Sequence, residues 1–592
     1  MTDDKDNPFW VQTPEKISAQ DAQNLFVDIF SEFPQVESPS HSFIVGPRGS
    51  GKSMMFRMMR PDCLILRHGV ALKDLPFLGI YVPIKSTRIT ATDMERLEQH
   101  PGRYVFNEHL LCIYIAVAAF QELENATKNE EGADNKELLK SWAKDNFSRR
   151  LAYCGVDDTK AEQVLTETWP NAEEMFRNLA LHLDNVYWSQ ADNLLRNLAM
   201  NPEKLGQYDG PLLSYHGFLF PLLESLRQLP FFPAKPIYLL VDDADNLNRP
   251  QTEVINSWIA TRTTHGVCLK LSDQMGYKTK QTFGGKRIQS PHDYNEVDVS
   301  VLYTTQRDRY MDRIEKIVQL RLKLAGIEAE PRNFFPEDTE QAKALSQIAD
   351  ELRKKWEAGE GVGNRSRDDV TRYTRPELIR RLEGNRSTYS YAGFEQLAHI
   401  SSGVVRYFLE PAAMMYAKQR TSRPGKPVVR IEQGIQDDII KGFSNDFLEK
   451  ELVSLSREDG AKSEDYAKLL NLIDVMGNSF FDRLVDENLT ERRVFSIALS
   501  DRPDDVVQRI LDLGTREGFF YRATLGAKRG AGRVPRYVLS RRLAPHFKLD
   551  PTSFAGYLFV TSGSLRKALE NQNHRLRETG GGNEAQLEFV IP

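Results

Sequence analysis

A glycine-rich octapeptide near the amino end constrains the fold more than any other feature of this sequence. It fits the pattern G-x4-G-K-[ST] and consists of Gly46, Pro47, Arg48, Gly49, Ser50, Gly51, Lys52 and Ser53. Glycines let the backbone curl so that successive N–H groups point at one anion, and the positive end of a following helix adds to the attraction. An apolar run, residues 42–45, precedes the octapeptide and a helical pattern follows it. The segment therefore predicts a phosphate-binding loop between a buried strand and a helix.

The residue types at the end of this loop suit a nucleoside triphosphate with its metal. Lys52 is expected against the β- and γ-phosphate oxygens, and the Ser53 hydroxyl is expected to ligate Mg²⁺. A second apolar run, residues 238–241, ends in two acids. Asp242 would hold Mg²⁺ through its water shell, and Asp243 would orient or activate the attacking water. Taken alone, a strand that ends in an Asp-rich turn has the same pattern, but adjacent buried carboxylates are costly without a nearby cation.

Strand-like runs alternate with helical segments along the first half of the chain, which predicts a parallel α/β sheet. The predicted strands are residues 42–45, 63–66, 79–84, 236–241 and 267–271. Between them, residues 106–229 repeat apolar positions at helical spacing. Residues 274–298 are polar and glycine-containing, and predict a long surface loop. Further on, residues 307–324 and 391–416 have helical patterns, and residues 359–375 have the composition of a linker.

In these segments the chain resembles the AAA+ and STAND branches of P-loop ATPases, and most resembles the origin-recognition-like AAA+ ATPases. The resemblance rests on residues 46–53, 238–247 and 400–409. It implies a helical lid in which Arg406 reaches the γ-phosphate as the sensor-2 arginine. It also implies a polar sensor-1 residue, for which Ser272 is the candidate, and an arginine finger from a neighbouring subunit, for which Arg307 and Arg309 are candidates. Each of these arginines could equally be a solvated surface charge.

Two departures from the AAA+ pattern bear on activity. About 190 residues separate Ser53 from Asp242, so the helical region between them is expected to be an insertion. Asp243 stands where AAA+ enzymes usually have Glu, and its shorter side chain predicts slow hydrolysis of ATP and a switch-like role. STAND ATPases commonly accept Asp at this position. A STAND-like signalling or antiviral-defence ATPase, whose helical regions bind protein partners, therefore remains the alternative.

The carboxy-terminal region contains a cationic segment without acids. Between residues 521 and 548 there are eight Lys or Arg residues and no Asp or Glu. Residues 518–525 and 535–540 have strand patterns, the loop 526–534 between them is basic and glycine-rich, and residues 504–513 predict a preceding helix. Such an arrangement resembles a winged helix. A cationic hairpin tip can approach the DNA backbone, which makes Lys528, Arg529, Arg533 and Arg536 the candidate contacts to double-stranded DNA. A winged helix used for protein contacts would have the same pattern.

Composition sets broader limits. At 592 residues the chain is too long for one hydrophobic core, and its formal charge of −5 argues against coating nucleic acid with the whole surface. The four cysteines are far apart and predict buried thiols in a reducing compartment. Residues 1–7 do not have the pattern of a secretory signal, and the longest apolar stretch, residues 110–120, is too short to span a membrane. A cytoplasmic ATPase, alone, as a homo-oligomer or with a partner protein, is expected.

The predicted fold class is thus an α/β P-loop NTPase sheet with a helical insertion and a helical lid, followed by a winged-helix-like domain. The expected boundaries place the two parts of the ATPase core at residues 1–105 and 231–330, on either side of the insertion, residues 106–230. The lid is expected over residues 331–448, the winged-helix-like domain over 449–570 and a tail over 571–592.

Overall fold

The computed structural model describes most of the chain, and the chain divides into two compact units. The described residues are 7–27, 33–84, 102–128, 130, 132–188, 211–299, 307–361, 366–385, 387–458, 463–526, 533–553 and 556–578. The amino-terminal unit is Gln12–Val299, and the carboxy-terminal unit is Ser300–Pro592 together with Met1–Val11.

A five-stranded parallel sheet forms the centre of the amino-terminal unit. Its strands are β1 (Ser42–Val45), β2 (Leu78–Pro83), β3 (Ile237–Asp242), β4 (Val267–Asp273) and β5 (Asn295–Asp298). The order is β2-β3-β4-β1-β5, and every neighbouring pair is parallel. The first four strands are buried along almost their whole length, which explains their continuous apolar sequences. Because the strands are parallel, the residues that follow β1, β3 and β4 meet at one edge of the sheet. The α/β sheet predicted from the sequence is confirmed.

Helices pack around this sheet and make up most of the described residues between β2 and β3. They are α1 (Ala19–Leu25), α2 (Phe33–Val36), α3 (Lys52–Met58), α4 (Pro61–His68), α5 (Arg103–Ala126), α6 (Lys136–Trp142), α7 (Arg149–Tyr153), α8 (Asp158–Glu162), α9 (Ala172–His182), α10 (Phe220–Ser225) and α11 (Arg249–Ala260). Within the described residues, α5 alone is long and apolar enough by length and composition to cross a membrane, and 61% of its most apolar window is buried inside the protein. Burial of that kind is typical of a core helix.

The strand predicted at residues 63–66 is wrong, because this segment lies within helix α4. Pro61 occupies the first turn of α4, where the missing N–H of proline has no cost. Gly69 ends the helix in the left-handed conformation with φ 65°. One face, with Cys63, is buried, whereas Leu66 is 39% exposed. An apolar run of four residues fits either a strand or one face of a short helix, so the flanking proline and glycine decided the outcome.

The surface loop predicted at residues 274–298 is also corrected. Its end forms strand β5, which pairs with β1 at the edge of the sheet. Its middle forms a short hairpin in which Gln281 and Arg287 pair across the turn. Strand β5 alternates in burial, as an edge strand does, and its sequence, Asn-Glu-Val-Asp, has a single apolar residue. That residue, Val297, carried too weak a signal for a strand prediction.

The carboxy-terminal unit combines helices with a second sheet. The helices are α12 (Arg307–Leu324), α13 (Pro331–Phe334), α14 (Thr339–Lys355), α15 (Ser366–Gly384), α16 (Phe394–Ile400), α17 (Val405–Ser422), α18 (Gln433–Asp446), α19 (Leu452–Glu458), α20 (Ser463–Val485), α21 (Asp505–Arg516) and α22 (Ser562–Glu570). The linker predicted at residues 359–375 is wrong over its second half, where α15 begins. The start of α15 is polar, but Tyr373 is buried and its hydroxyl donates to the carbonyl of Thr490.

The second sheet contains the predicted hairpin and two further strands. Its strands are β6 (Val494–Leu499), β7 (Phe520–Gly526), β8 (Arg533–Leu539) and β9 (Gly556–Val560), in the order β7-β8-β6-β9. β7 and β8 are antiparallel, as predicted, and helix α21 precedes them with Asp504 as its cap. β6 lies beside β8 and pairs in parallel with β9. Because β6 and β9 widen the hairpin into a mixed sheet, the winged-helix interpretation stays a prediction.

Candidate nucleotide site

The glycine-rich loop lies at the carboxyl edge of the parallel sheet. The N–H of Gly46 donates to the carbonyl of Asp273 over 3.0 Å, which ties the start of the loop to the end of β4. A Cβ atom on Gly46 would lie 2.2 Å from Cγ2 of Val299, so this position has no room for a side chain. Gly51, immediately before α3, has φ 103°, a conformation that other residues rarely adopt. Glycine is therefore required at position 46 by the side chain of Val299, and at position 51 by the backbone conformation, as it is at Gly49 with φ 85°.

Lys52 is buried at the start of α3 and is surrounded by acids. Its Nζ donates to the carbonyl oxygens of Gly46 and Pro47 over 2.7 and 3.1 Å. Burial lowers the pKa of Lys52, and four nearby carboxylates act in the opposite direction, those of Asp242, Asp243, Asp245 and Asp273. Four carboxylates around one ammonium leave an excess of negative charge, which a divalent cation would offset.

Asp242 is held from several sides at the end of β3. Its Oδ2 accepts a hydrogen bond of 2.9 Å from the Tyr81 hydroxyl, and its Oδ1 accepts one from the Ser272 hydroxyl. Burial and the charge of Asp243 raise the pKa of Asp242, whereas its hydrogen bonds and the nearby Ser53 hydroxyl lower it. The structure thus places the two predicted metal-holding residues, Ser53 and Asp242, near each other.

Asp243 turns the chain out of the sheet. Its φ of 55° and ψ of 44° lie in the left-handed region, which Asp tolerates better than most residues. The Asp243 N–H donates to the Ser272 hydroxyl oxygen over 2.8 Å. Its own Oδ1 accepts a hydrogen bond of 2.7 Å from Nε2 of Gln274. The carboxylate is therefore oriented by a residue that follows the neighbouring strand.

The residues present fit a phosphate group and a magnesium ion. The Ser50 hydroxyl is buried in the loop without a hydrogen-bond partner, which leaves a donor for a phosphate oxygen. Ser53 and Asp242 supply hard oxygen ligands of the kind that Mg²⁺ prefers, directly or through water. The exposed Arg48 lies on the solvent side of the loop. The individual roles of the loop residues stay predictions.

Two residues that contact the acidic pair were not predicted from the sequence. Tyr81 is in β2, and its hydroxyl also lies 3.0 Å from Oε1 of Glu15. Its only sequence signal was a hydroxyl in an otherwise apolar run. Gln274 directly follows the predicted sensor-1 strand, and that adjacency was the signal that could have identified it.

The other arginines of the predicted site belong to the carboxy-terminal unit. Arg406 is the second residue of α17, and its Nε lies 3.7 Å from Oε1 of Glu410. Arg309 is an exposed residue in the first turn of α12, and Arg307 begins that helix. Their roles as sensor-2 and arginine-finger residues stay predictions.

The basic carboxy-terminal segment is only partly available to a ligand. Arg541 and Arg542 are 2% and 3% exposed. Arg536, the last of the predicted DNA contacts, donates from Nε to the Ser496 hydroxyl over 2.8 Å, and its guanidinium lies 5.8 Å from the ring centre of Tyr557. Arg533 is the first residue of β8. Lys528 and Arg529 lie outside the described residues.

The parallel sheet, the glycine-rich loop and the acidic strand end together define a P-loop nucleotide-binding protein of α/β type. A family model described as ORC-CDC6-like matches residues 7–559, nearly the whole chain. The protein belongs to this family, which implies an AAA+ ATPase that binds nucleotide. Comparison with curated proteins finds no match.

Proposed function

We propose that the protein is an ATP-controlled switch that binds ATP with Mg²⁺, hydrolyses it slowly and associates with double-stranded DNA. The observation that carries the ATPase part is the cluster at one edge of the parallel sheet. There buried Lys52 interacts electrostatically with four carboxylates, its Nζ donates to the loop carbonyls of Gly46 and Pro47, and Asp242 lies near Ser53. Lys52 and the loop N–H groups would bind the β- and γ-phosphates, while Ser53 and Asp242 would hold Mg²⁺. The metal, when bound, neutralises charge that develops on the transferred phosphoryl group.

Hydrolysis requires a base or an orienting group for water, and we assign this role to Asp243. Its Oδ1 is held by Gln274 at 2.7 Å, which orients the carboxylate and leaves its other oxygen to accept from water. The short aspartate side chain favours slow turnover. Arg406 would contact the γ-phosphate and make the position of the lid depend on the nucleotide, since a ligand shifts an equilibrium only through contacts that differ between states.

The ATPase part is tested with two substitutions. Lys52→Ala should abolish binding of ATP with Mg²⁺ in calorimetry, because it removes the cation that faces the phosphates. Asp243→Asn should bind ATP like the unmodified protein but release far less phosphate in a steady-state assay. Lys140→Ala, an exposed lysine on α6, is the control and should change neither result. Full hydrolysis by the Asp243 variant would remove this residue from the mechanism.

The DNA part of the proposal is supported by the antiparallel β7–β8 hairpin and its basic connection. Helix α21 has as many acids as arginines, and its Arg509 is paired with Asp465 at 2.9 Å. Contacts are therefore expected with phosphates rather than base edges, with weak sequence preference. Neutralising Lys528, Arg529 and Arg533 should lower the affinity for duplex DNA and flatten its salt slope by up to roughly three units. Absence of salt-sensitive, ATP-modulated DNA retention would favour the STAND-like alternative, for which Asp243 is the supporting residue.

A further inference from the structure

The segment between β4 and β5, residues 274–294, forms an arm with a hairpin at its end. The Thr282 N–H donates to the carbonyl of Lys286 over 2.8 Å, and the Ile288 N–H donates to the carbonyl of Lys280 over 2.9 Å. Gly285 closes the turn by donating to the carbonyl of Thr282 over 2.9 Å. The β4–β5 arm is thus an ordered hairpin with a Gly-Gly turn.

The lower part of the β4–β5 arm is fixed to the sheet by a caged lysine. Nζ of Lys280 lies 2.9 Å from the ring centre of Phe43 in β1, and 4.9 and 4.8 Å from those of Tyr277 and Tyr294. The Asn256 side chain in α11 donates to the arm carbonyls of Thr279 and Gln281 over 2.9 and 2.8 Å. Burial lowers the pKa of Lys280 to about 8. This lysine therefore anchors the arm, and its charge does not face solvent.

The tip of the β4–β5 arm has a different character, with an exposed aromatic ring among cations. The Phe283 side chain is 58% exposed, and Lys286 and Arg287 beside it are exposed as well. Neither of these two cations has an ion pair among the described residues, and no acid occurs in residues 274–292.

Two acids close to the arm already have other partners. Asp293, at the base of the arm, accepts hydrogen bonds from Arg262 at 3.3 Å and from the N–H of Gln289 at 2.9 Å. Glu253 in α11 accepts from Arg249 at 3.0 Å and from the hydroxyl of Tyr104 at 2.7 Å. Asp293 interacts electrostatically with Lys286, but neither tip cation is held in an ion pair among the described residues, so both can bind an anion.

The root of the β4–β5 arm is part of the candidate nucleotide site. Gln274, its first residue, holds the Asp243 carboxylate at 2.7 Å. The Asp273 carboxylate accepts from the N–H groups of Gly276 and Tyr277 at 2.9 and 3.1 Å. The Asp273 carbonyl accepts from Gly46 in the loop. A change in the position of the Asp243 carboxylate during the nucleotide cycle would therefore affect the first residues of the arm.

We propose that the β4–β5 arm is a second DNA contact, specific for an unpaired stretch, in which the tip cations bind phosphates and Phe283 stacks on a base. The proposal rests on the proposed association with DNA. Every base offers a π-face, so an exposed ring among cations binds single strands with little sequence preference. In duplex DNA the bases are already stacked, and the Phe283 ring has no face to contact. A purely electrostatic arm would not need this ring in solvent.

The test uses the full-length protein with ATP and Mg²⁺ and two fluorescent DNAs, a duplex and the same duplex with a central unpaired stretch. Phe283→Ser should lower the affinity for the unpaired DNA about fivefold or more and leave duplex affinity unchanged, because only the former offers a base to stack on. The double variant Lys286→Gln/Arg287→Gln should flatten the salt slope for the unpaired DNA by up to about two units. Lys136→Gln/Lys140→Gln removes the same charge from α6 and should behave like the unmodified protein.

The outcomes separate the two proposals. If the unmodified protein binds neither DNA, both the association with DNA and the arm contact are refuted. If it binds DNA but both tip variants bind the unpaired DNA as tightly as the α6 control, the arm proposal fails and the association with DNA stands. Unchanged binding of the unpaired DNA by the tip variants is also the result expected if the arm binds an acidic protein instead of DNA. Unchanged thermal unfolding and ATP affinity of the variants establish that the tip substitutions left the fold intact.

Discussion

Replacing Tyr81 by phenylalanine removes one hydrogen bond from the carboxylate that we propose to hold Mg²⁺. The Tyr81 hydroxyl donates to Oδ2 of Asp242 over 2.9 Å in the interior, opposite the hydroxyl of Ser272. A hydrogen bond to a charged group contributes about 1.5–3 kcal/mol. Since about 1.4 kcal/mol corresponds to a tenfold change in affinity, ATP affinity in the presence of Mg²⁺ should fall about tenfold to hundredfold. Partners of metal-holding side chains generally have effects of this size.

The assay is the affinity for a fluorescent ATP analogue, measured in Mg²⁺ and again in EDTA. Tyr81→Phe should weaken only the first, because without metal the phosphates depend on Lys52 and the loop N–H groups. Tyr238→Phe is the matched control: it lies in the neighbouring strand β3, and its hydroxyl donates over 2.9 Å to the carbonyl of Glu37. Equal losses in Mg²⁺ and EDTA, or the same Mg²⁺-specific loss in the control, would refute the reasoning.

A substitution at Glu15, the other neighbour of the Tyr81 hydroxyl, should have the opposite effect on Mg²⁺-dependent ATP affinity. The hydroxyl lies 3.0 Å from Oε1 of Glu15, but it has one proton to donate. In Glu15→Gln the side-chain amide can donate to the phenol oxygen and leave the proton to Asp242. The Mg²⁺-dependent affinity should then rise. A fall would mean that Glu15 assists the site rather than competing for this proton.

Two further predictions concern the loop and the sheet beneath it. Gly46→Ala places a methyl group 2.2 Å from Cγ2 of Val299 and should weaken ATP binding in calorimetry. The second substitution Val299→Ala removes that atom and should restore part of the ATP affinity, and no recovery would contradict the steric explanation. Burial lowers the pKa of Lys270 to about 7, against about 10.4 in an unfolded chain. Above pH 7 the unfolded state therefore binds more protons than the folded state, and the free energy of unfolding rises by about 1 kcal/mol per pH unit. In urea unfolding between pH 7 and 9, Lys270→Met should lack this rise, and an equal dependence of unfolding free energy on pH in the two proteins would disprove it.

The nucleotide loop was predictable because its conformation depends on residues that are adjacent in sequence. Gly49 and Gly51 permit the backbone path, and Lys52 and Ser53 follow at fixed positions on the next helix. The acidic end of β3 was predictable for a similar reason, since a buried strand that ends in two carboxylates has few other uses. Tyr81 and Gln274 were not, because their contacts depend on which strands are neighbours in the sheet.

Short segments without periodicity were predicted less well. Residues 63–66 and the start of α15 have patterns that two structures satisfy, and strands β5, β6 and β9 were missed. Residues 63–66 were decided by the proline and glycine that flank them, whereas α15, β5, β6 and β9 depend on packing or pairing with residues distant in sequence. For β5 the partner is β1, more than two hundred positions earlier in the chain.

The carboxy-terminal cations separate most clearly what the sequence determined from what the tertiary structure decided. The sequence alone determined a hairpin and a local excess of positive charge, because both follow from neighbouring residues. Only the tertiary structure decided which charges remain available. Arg542 is paired with Glu451 at 3.2 Å and stacked on Phe447, and Lys548 is paired with Glu383 at 2.9 Å. An arginine enters the interior only with such partners, since an unpaired buried charge is too costly, and those partners lie far away along the chain.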